Sequence, residues 1–336
     1  MSRKSVFGVA VLVLVSAMVA AVIRFRDMPR LSEATDYLMD TVVTVKVYAP
    51  PSAHGQEVVA RAFAEAKRVE RIMDPYADGG ELKTINDSEP GAWHRISPEL
   101  RDVIERAGYF WNITGGAFDP TIAAVKWLWK FDEGGAVPSP ESLAEALGTV
   151  GFDKIVLHGD SLSLGSAGTK LDPGGIAKGY IVDRMIAVLR EGGCTAVLVN
   201  AGGDISSFGA KPGGEPWVIG LRHPRKDETL VLDPMPFPTV ATSGDYERYF
   251  IADGKRFHHI LDPKTGYSAD GCCSVTIWAN AGIDADALAT GVFVLGPEEG
   301  LKLAEEREDI EALIFYEENG ELEHVMTSGV QGKVNF

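Results

Sequence analysis

The sequence DPGGIAKGYIVDRMIAVLREGGCTAVLVNAGGD, residues 172–204, carries the clearest structural pattern of the chain. Residues 177–191 have the apolar spacing of an amphipathic helix, and residues 196–200 predict a buried strand. A glycine-rich turn lies on each side, at 173–175 and at 202–203. Glycine lets a backbone approach a ligand closely, and the first turn of a helix offers free N–H groups to an anion. The stretch could therefore form an anion site, although glycine content alone favours tight turns where strands meet helices.

Neither turn matches a standard nucleotide-binding motif. GxGxxG is absent, and the order Lys178-Gly179 reverses the GK[ST] of a P-loop. A phosphate group bound here would need a different arrangement of backbone and cations.

The rest of the chain predicts helices and hairpins in separate blocks. Helices are predicted at 55–73, 98–114, 139–147, 286–295 and 297–306, and strands at 43–48, 217–221, 240–241, 248–251, 274–279 and 312–316, with a hairpin at 154–164. Because the strands do not alternate regularly with helices, we expect an α+β fold with antiparallel sheets and packed helices. We expect one compact catalytic unit over residues 38–330.

The N-terminus predicts export. Arg3 and Lys4 precede an uncharged, mostly apolar run over residues 5–23. This is the pattern of a signal peptide or signal anchor, and the run is nearly long enough to span a bilayer uncleaved. We expect residues 1–26 to be an export segment and 27–37 a linker. The catalytic unit would lie at the periplasmic face of the inner membrane, anchored or released after cleavage; a buried N-terminal helix is the alternative.

Composition narrows the range of partners. The formal charge of −16, from 32 basic and 48 acidic side chains, argues against nucleic acid, which requires a basic surface. A polyanionic ligand would need a bound cation or helix N-termini. Cys194, Cys272 and Cys273 lack zinc-site spacing. We expect buried free thiols, with a disulfide from Cys194 to one of the other two as the alternative.

Three further features suit phosphate chemistry. Asp286 and Thr290 stand four residues apart on a predicted helix, so their oxygens face one way and could ligate Mg²⁺. Taken alone, the pair is better explained by a carboxylate favoured by the helix dipole and a threonine bonded to its own helix. His259 follows a strand-like segment and could act as an acid or base, or serve the fold alone. The glycine-led turn 115–121 adds an aromatic ring and a carboxylate.

Six motifs, taken together in this order, resemble the signature series of the ApbE family of FAD:protein FMN transferases. They are GAFDPT (116–121), DPGGIAKGY (172–180), NAGGD (200–204), ATSGDY (241–246), HILDPKTG (259–266) and DALAT (286–290). The resemblance spans residues 38–303, nearly all of the part expected to be exported. A series of this length is far more specific than any single glycine motif.

The resemblance implies a fold of the ApbE, T-fold-like type that binds FAD with Mg²⁺. Members transfer FMN to a Thr or Ser of a target protein through a phosphoester bond and release AMP. The resemblance implies an FAD site formed by Met39, Tyr76, Ala117, Phe118, Asp119, Asp172, Lys178 and Ile260. It implies that the Gly175 carbonyl, Asp286 and Thr290 hold Mg²⁺ and that His259 is catalytic. By analogy, the acceptors would be membrane redox-pump subunits or FMN-binding domains.

The sequence departs from the family pattern at three points. Asp40 replaces the usual Gly of Met-Gly-Thr, Pro173 replaces a common Leu, and the lipid-anchor Cys of many members is absent. These changes bear on flavin affinity and anchoring more than on the reaction.

Three other functions stay open from the sequence. An FAD pyrophosphatase would use the same site, with water replacing the target hydroxyl. A non-catalytic FAD-binding or storage protein of the cell envelope is disfavoured, because it would not need Asp286, Thr290 and His259. A solute-binding protein is disfavoured because the strands lack a two-lobed βα alternation.

Overall fold

The computed structural model describes residues 14–16, 18, 28–232 and 236–335. The predicted export segment, residues 1–26, lies outside the described residues except for 14–16 and 18, and export therefore stays a prediction. None of the helices described combines the length and the apolar character needed to cross a membrane.

From residue 28 onward, helices and strands alternate in blocks. The α-helices are α1 Gly55–Met73, α2 Glu81–Asn86, α3 Pro98–Ile113, α4 Ala123–Trp129, α5 Pro140–Leu147, α6 Ala177–Glu191, α7 Gly282–Leu295 and α8 Pro297–Glu305. The strands are β1 Arg30–Leu38, β2 Thr41–Ala49, β3 Trp93–Arg95, β4 Ile155–His158, β5 Ser161–Leu164, β6 Ala196–Ala201, β7 Asp204–Phe208, β8 Ile219–Arg222, β9 Thr229–Leu232, β10 Thr239–Gly244, β11 Tyr249–Ala252, β12 Lys255–His258, β13 Ser274–Ala279, β14 Ile310–Glu318, β15 Glu321–Met326 and β16 Val334–Asn335.

A central sheet organises these elements. In the described part of the chain it has eight strands, in the order β1-β2-β6-β7-β10-β13-β14-β15, and every pairing in it is antiparallel. Three small antiparallel sheets, β11-β12, β16-β9-β8 and β3-β5-β4, lie outside it. The predicted α+β class with antiparallel sheets is confirmed.

Both faces of the central sheet are covered, which explains why β13 is buried along its whole length. Successive side chains of a strand point to opposite faces. Val275 and Ile277 belong to the larger core, which they share with helices α1, α3, α6 and α7, whereas Trp278 belongs to a second core with residues of β8 and β9. The helices therefore pack on one face of the sheet, and α6 and α7 pack against each other there.

Many of the predicted elements are confirmed, including the helices at 55–73 and 177–191 and the strand at 274–279. The predicted linker 27–37 is wrong over most of its length, because residues 30–38 form β1 and pair with β2 from end to end. Its polar sequence fits an edge strand, where the residues before the buried Leu38 are exposed or partly exposed.

Two further predictions concern a helix start and the cysteines. Helix α7 begins at Gly282, four residues before the predicted start, because its first N–H groups are bound by Asp183 of α6 and not by a neighbouring residue. The three cysteines are buried and free, as predicted, and the disulfide alternative is wrong.

Candidate active site

A cavity of about 650 Å³ lies where the β1–β2 turn, the start of α6 and the first turns of α7 meet. This volume falls within the range of about 300–1,000 Å³ that is usual for small-molecule sites. All twelve residues singled out from the sequence line the cavity, namely Met39, Tyr76, Ala117, Phe118, Asp119, Asp172, Gly175, Lys178, His259, Ile260, Asp286 and Thr290. Motifs that are far apart in the chain thus meet in one place, while the role of each residue stays a prediction.

The β1–β2 turn forms one rim of the cavity. Leu38 pairs with Thr41, so Met39 and Asp40 make a two-residue turn, and both have left-handed backbone angles, with φ of 54° and 55°. Two-residue hairpins favour such angles at both positions, and glycine adopts them without strain. The Gly of the family pattern therefore has a conformational reason, and Asp is among the residues that tolerate the same conformation.

Hydrogen bonds and charges tie this turn to its surroundings. The Met39 N–H donates to Glu70 Oε1 at 2.5 Å, and Asp40 Oδ2 lies 3.6 Å from Arg248 Nη2. Burial raises the pKa of Glu70 above its ordinary value, and the nearby carboxylates of Asp74 and Asp40 add to this effect.

The glycine-rich turn before α6 is fixed by Asp172. One oxygen of this buried carboxylate accepts the Gly174 N–H at 2.8 Å, and the other lies 2.5 Å from Lys126 Nζ. Burial alone would raise the pKa of Asp172, but the ammonium of Lys126 outweighs it and holds the pKa below the ordinary range. Asp172 therefore stays ionised and positions a lysine in the cavity wall.

A second lysine–carboxylate pair involves the first turn of α6. Lys178 Nζ is 2.7 Å from Oδ2 of Asp204, the acidic residue of the NAGGD turn. Burial disfavours the ammonium ion, but the carboxylates of Asp204 and Asp286 prevail and raise the pKa of Lys178. The cavity thus contains two cations that are held in place by buried partners.

Asp286 joins α7 to the start of α6. The Gly179 N–H is one of the first-turn donors of α6 that have no partner within the helix. It donates to Asp286 Oδ2 at 2.9 Å. Burial is the main cause that raises the pKa of Asp286, and the negative charge of Asp204 adds to it. The carboxylate is therefore held by the backbone of a neighbouring helix in a site that disfavours its charge even with the Lys178 ammonium nearby, so a further cation would stabilise it.

Gly175 and Thr290 line the same cavity as Asp286 and add hard oxygen atoms to it. A methyl group at residue 175 would lie 3.0 Å from Thr290 Oγ1, so this hydroxyl is next to the Gly175 backbone. Within residues 28–232 and 236–335, no N–H or O–H group donates to the Gly175 carbonyl. Carboxylate, hydroxyl and carbonyl oxygens are the donors that Mg²⁺ prefers. The donor set fits Mg²⁺ completed by water and phosphate; among the described residues, no cluster of three or more His, Cys, Asp or Glu side chains suited to a metal occurs.

His259 lies on the wall near Arg248. Its Nδ1 is 3.3 Å from the Arg248 carbonyl oxygen, which can only accept a hydrogen bond. The proton therefore resides on Nδ1, and Nε2 keeps its lone pair. Burial, with the positive charges of Lys126 and Arg248, lowers the pKa of His259 to about 3. The imidazole is neutral at neutral pH and can accept a proton.

Asp119 has a mainly structural set of contacts. Its Oδ1 accepts hydrogen bonds from the Thr121 N–H at 2.8 Å and from the Thr121 hydroxyl at 2.5 Å. These bonds hold the 116–121 turn, which places Phe118 against the cavity.

The charge of the cavity wall has a direct consequence for ligand binding. Seven carboxylates line it against three cationic side chains, the acids being Asp40, Glu70, Asp74, Asp119, Asp172, Glu247 and Asp286 and the cations Lys126, Lys178 and Arg248. Sequence reasoning missed Lys126 and Arg248, because each is a single cation in a segment that matches no motif. An anionic ligand would meet a formally negative wall, so a bound metal cation would favour its binding.

The fold and the cavity define a class of α+β protein with a nucleotide-sized site at the start of a helix. Comparison with known families identifies this class, since the sequence profile of the ApbE family matches residues 39–314. The chain belongs to the ApbE family.

Several individual proteins are similar to this chain. An FAD:protein FMN transferase of Treponema pallidum is 34% identical over 303 residues, covering 84% of this chain and 83% of the relative. One from Klebsiella pneumoniae is 32% identical over 291 residues, covering 85% of this chain and 89% of the relative.

Solved structures agree with these sequence relatives. The crystal structure of an ApbE protein from Thermotoga maritima has a TM-score of 0.78 and 35% identity, covering 89% of this chain and 98% of its own. The apo form of the Pseudomonas stutzeri flavinyl transferase ApbE has a TM-score of 0.81 and 29% identity, covering 91% of this chain and 97% of its own.

Proposed function

We propose that this protein is an FAD:protein FMN transferase that requires Mg²⁺. It transfers FMN from FAD to a Thr or Ser of an acceptor protein through a phosphoester bond and releases AMP. The single observation that carries this proposal is the meeting of the flavin-site motifs with the hard oxygens of Gly175, Asp286 and Thr290 in one cavity. The names of the curated relatives support the transferase activity.

The balanced reaction is a substitution at phosphorus. The acceptor hydroxyl oxygen forms a bond to the FMN-side phosphorus of FAD, the bond from that phosphorus to the bridging oxygen breaks, and AMP leaves with the oxygen. Mg²⁺ held by the three oxygens would neutralise the pyrophosphate and the charge developing on AMP. Lys126 and Lys178 are placed to balance the remaining phosphate charge.

His259 accepts the proton of the acceptor hydroxyl in this proposal. Its Nδ1 bond to the Arg248 carbonyl fixes the tautomer and leaves Nε2 free to act as the base. A pKa of about 3 makes the imidazole a weak base in the free protein. A bound pyrophosphate would raise that pKa, because a nearby negative charge stabilises the imidazolium ion.

The flavin ring would lie against the Tyr76 side of the cavity. Tyr76 is 61% exposed, and its ring packs at a tilt on that of Trp127, with the ring centroids 5.9 Å apart. Exposed aromatic rings that are held by a second ring suit stacking on a planar ligand.

The test is incubation of residues 28–336 with FAD, Mg²⁺ and a candidate acceptor domain, followed by intact-mass measurement. A mass gain equal to one FMN phosphoester, abolished by EDTA, is the expected result. FAD breakdown without labelling of any Thr- or Ser-containing acceptor would favour the pyrophosphatase, and intact bound FAD would favour the binding protein.

The cellular location is a separate part of the proposal. The basic and apolar N-terminal segment supports export, with the catalytic unit at the periplasmic face of the inner membrane and an acceptor protein in the same compartment. Fractionation of cells that express the full chain tests it, and activity confined to the cytoplasmic fraction would contradict it.

A further inference from the structure

The crossing of α6 and α7 depends on two glycines. A methyl group at residue 179 would lie 2.0 Å from the Gly282 carbonyl oxygen, and one at residue 282 would lie 2.5 Å from the Gly179 carbonyl oxygen. The two backbones are therefore in direct contact, with no side chain between them. Because the two backbones touch, any added side chain at this contact would push the helices apart.

Each helix also caps the other. The Asp183 carboxylate of α6 accepts the N–H groups of Gly282 and Ile283 at 2.7 and 2.9 Å. In return, Asp286 of α7 accepts the Gly179 N–H at 2.9 Å. The N-cap residues themselves, Ile176 and Ala281, have no side-chain acceptor.

This arrangement differs from ordinary helix capping. A helix N-terminus is usually satisfied by a Ser, Thr, Asp or Asn at its own N-cap, which stabilises the helix but fixes nothing outside it. Here the acceptor belongs to the neighbouring helix, so the same two hydrogen bonds fix where α7 starts along α6. Asp286 and Thr290 follow on α7, whereas Gly175 precedes α6, and their mutual distances depend on that register.

We infer that Asp183 is a positioning residue for the metal site and acts through α7. It is not among the residues that line the cavity, so it acts on the site from outside it. Metal sites require ligand distances within about 0.2 Å, and residues that orient ligands change metal affinity by about 10–100-fold when they are replaced. The inference rests on the metal site of the proposed function.

The test measures Mn²⁺ binding, as a substitute for Mg²⁺, by electron paramagnetic resonance in the absence of FAD. Asp183→Ala removes both hydrogen bonds and is expected to weaken Mn²⁺ binding at least about tenfold. Asp183→Asn keeps one acceptor oxygen in the same shape and is expected to recover part of the affinity; it also serves if the alanine variant does not fold.

A matched control removes a helix cap elsewhere. Ser97 Oγ accepts the Leu100 N–H at the start of α3 and does not line the cavity, so Ser97→Ala loses an ordinary cap. It is expected to lower stability and leave Mn²⁺ affinity unchanged. Equal Mn²⁺ affinities in wild type, Asp183→Ala and Asp183→Asn would overturn the role of Asp183 but not the proposed metal site. Absence of Mn²⁺ binding to the wild type would overturn the proposed metal site and this inference with it.

Discussion

Two regions close the same cavity in different ways. The helix-crossing region consists of Gly175, Gly179, Asp183, Gly282, Asp286 and Thr290, and the turn region consists of Met39, Asp40, Glu70, Arg248 and His259. In the first, buried backbone contacts and capping carboxylates determine the geometry. In the second, a two-residue turn is joined to Arg248 by an exposed ion pair of 3.6 Å.

The difference shows where substitution is tolerated. In the helix-crossing region a side chain at Gly179 or Gly282 would overlap a carbonyl, so residue types there are restricted by contact. In the turn region only the backbone angle is demanding, and Asp40 satisfies it with a φ of 55°. We therefore expect changes in the helix-crossing region to affect chemistry and stability strongly and changes at the turn to adjust flavin affinity.

The largest effect is expected from Asp286→Asn. In the proposed function Asp286 holds Mg²⁺, and loss of that ligand would remove several kcal/mol of charge stabilisation, so FMN transfer should fall about 1,000-fold or more. The folded protein raises the pKa of Asp286, so the wild type loses stability as the pH rises through the ordinary range of a carboxylate toward that higher value. The amide avoids this loss and keeps an acceptor for Gly179. Transfer rates by intact mass and unfolding at pH 8 check both parts; activity within tenfold of wild type would contradict the metal role.

The second-largest effect is expected in the turn region, at His259, whose ring contacts the Arg248 carbonyl. His259→Gln should lower transfer about 100-fold, the usual effect of losing a general base. The folded pKa of about 3 lies below the ordinary 6.5, so the unfolded chain takes up a proton that the folded one does not. Wild type should lose stability as the pH falls from about 6.5 toward 3, and the glutamine variant should lose less. Denaturant unfolding at pH 7.5 and pH 5 measures the difference; equal losses would show that His259 is not buried in its neutral form.

A methyl group at the crossing tests the contact itself. Gly179→Ala should lower the free energy of unfolding by about 1–3 kcal/mol through overpacking and reduce transfer about tenfold by separating the helices. Gly320→Ala is the control, since Gly320 has a φ of 84° and nothing within 4 Å of an added methyl group. It should cost about 1–2 kcal/mol through backbone strain and leave transfer per folded molecule unchanged. A Gly179→Ala protein with wild-type transfer would mean that the close approach does not matter for the site.

The smallest effect is expected at Asp40, whose side chain is 76% exposed. Asp40→Gly relieves the left-handed strain and removes a negative charge from the rim, so FAD should bind a few-fold more tightly at low salt, with the gain shrinking as salt rises. Asp40→Asn removes the charge but keeps a side chain in the turn, which separates the two causes. FAD titration by flavin fluorescence measures both variants. Weaker binding by either would indicate that the ion pair with Arg248 organises the rim.

The sequence predicted much of the fold and the location of the site for physical reasons. Helix α6 has a regular apolar face, and the glycines of 172–180 indicate positions where the backbone comes too close to its neighbours for a side chain. The strand β1 was mistaken for a linker because an edge strand leaves polar side chains in water. The start of α7 was misplaced because its cap is Asp183, about 100 residues earlier in the chain. Lys126 was missed because nothing near it in sequence indicates its partner, Asp172.

The most direct measurement is the stoichiometry of AMP released to acceptor labelled, with wild-type protein, FAD, Mg²⁺ and a Thr-containing acceptor. One AMP per FMN attached is expected, with neither product formed by Asp286→Asn. AMP formed without labelled acceptor, or labelling that continues unchanged in EDTA, would contradict Mg²⁺-dependent FMN transfer at this cavity.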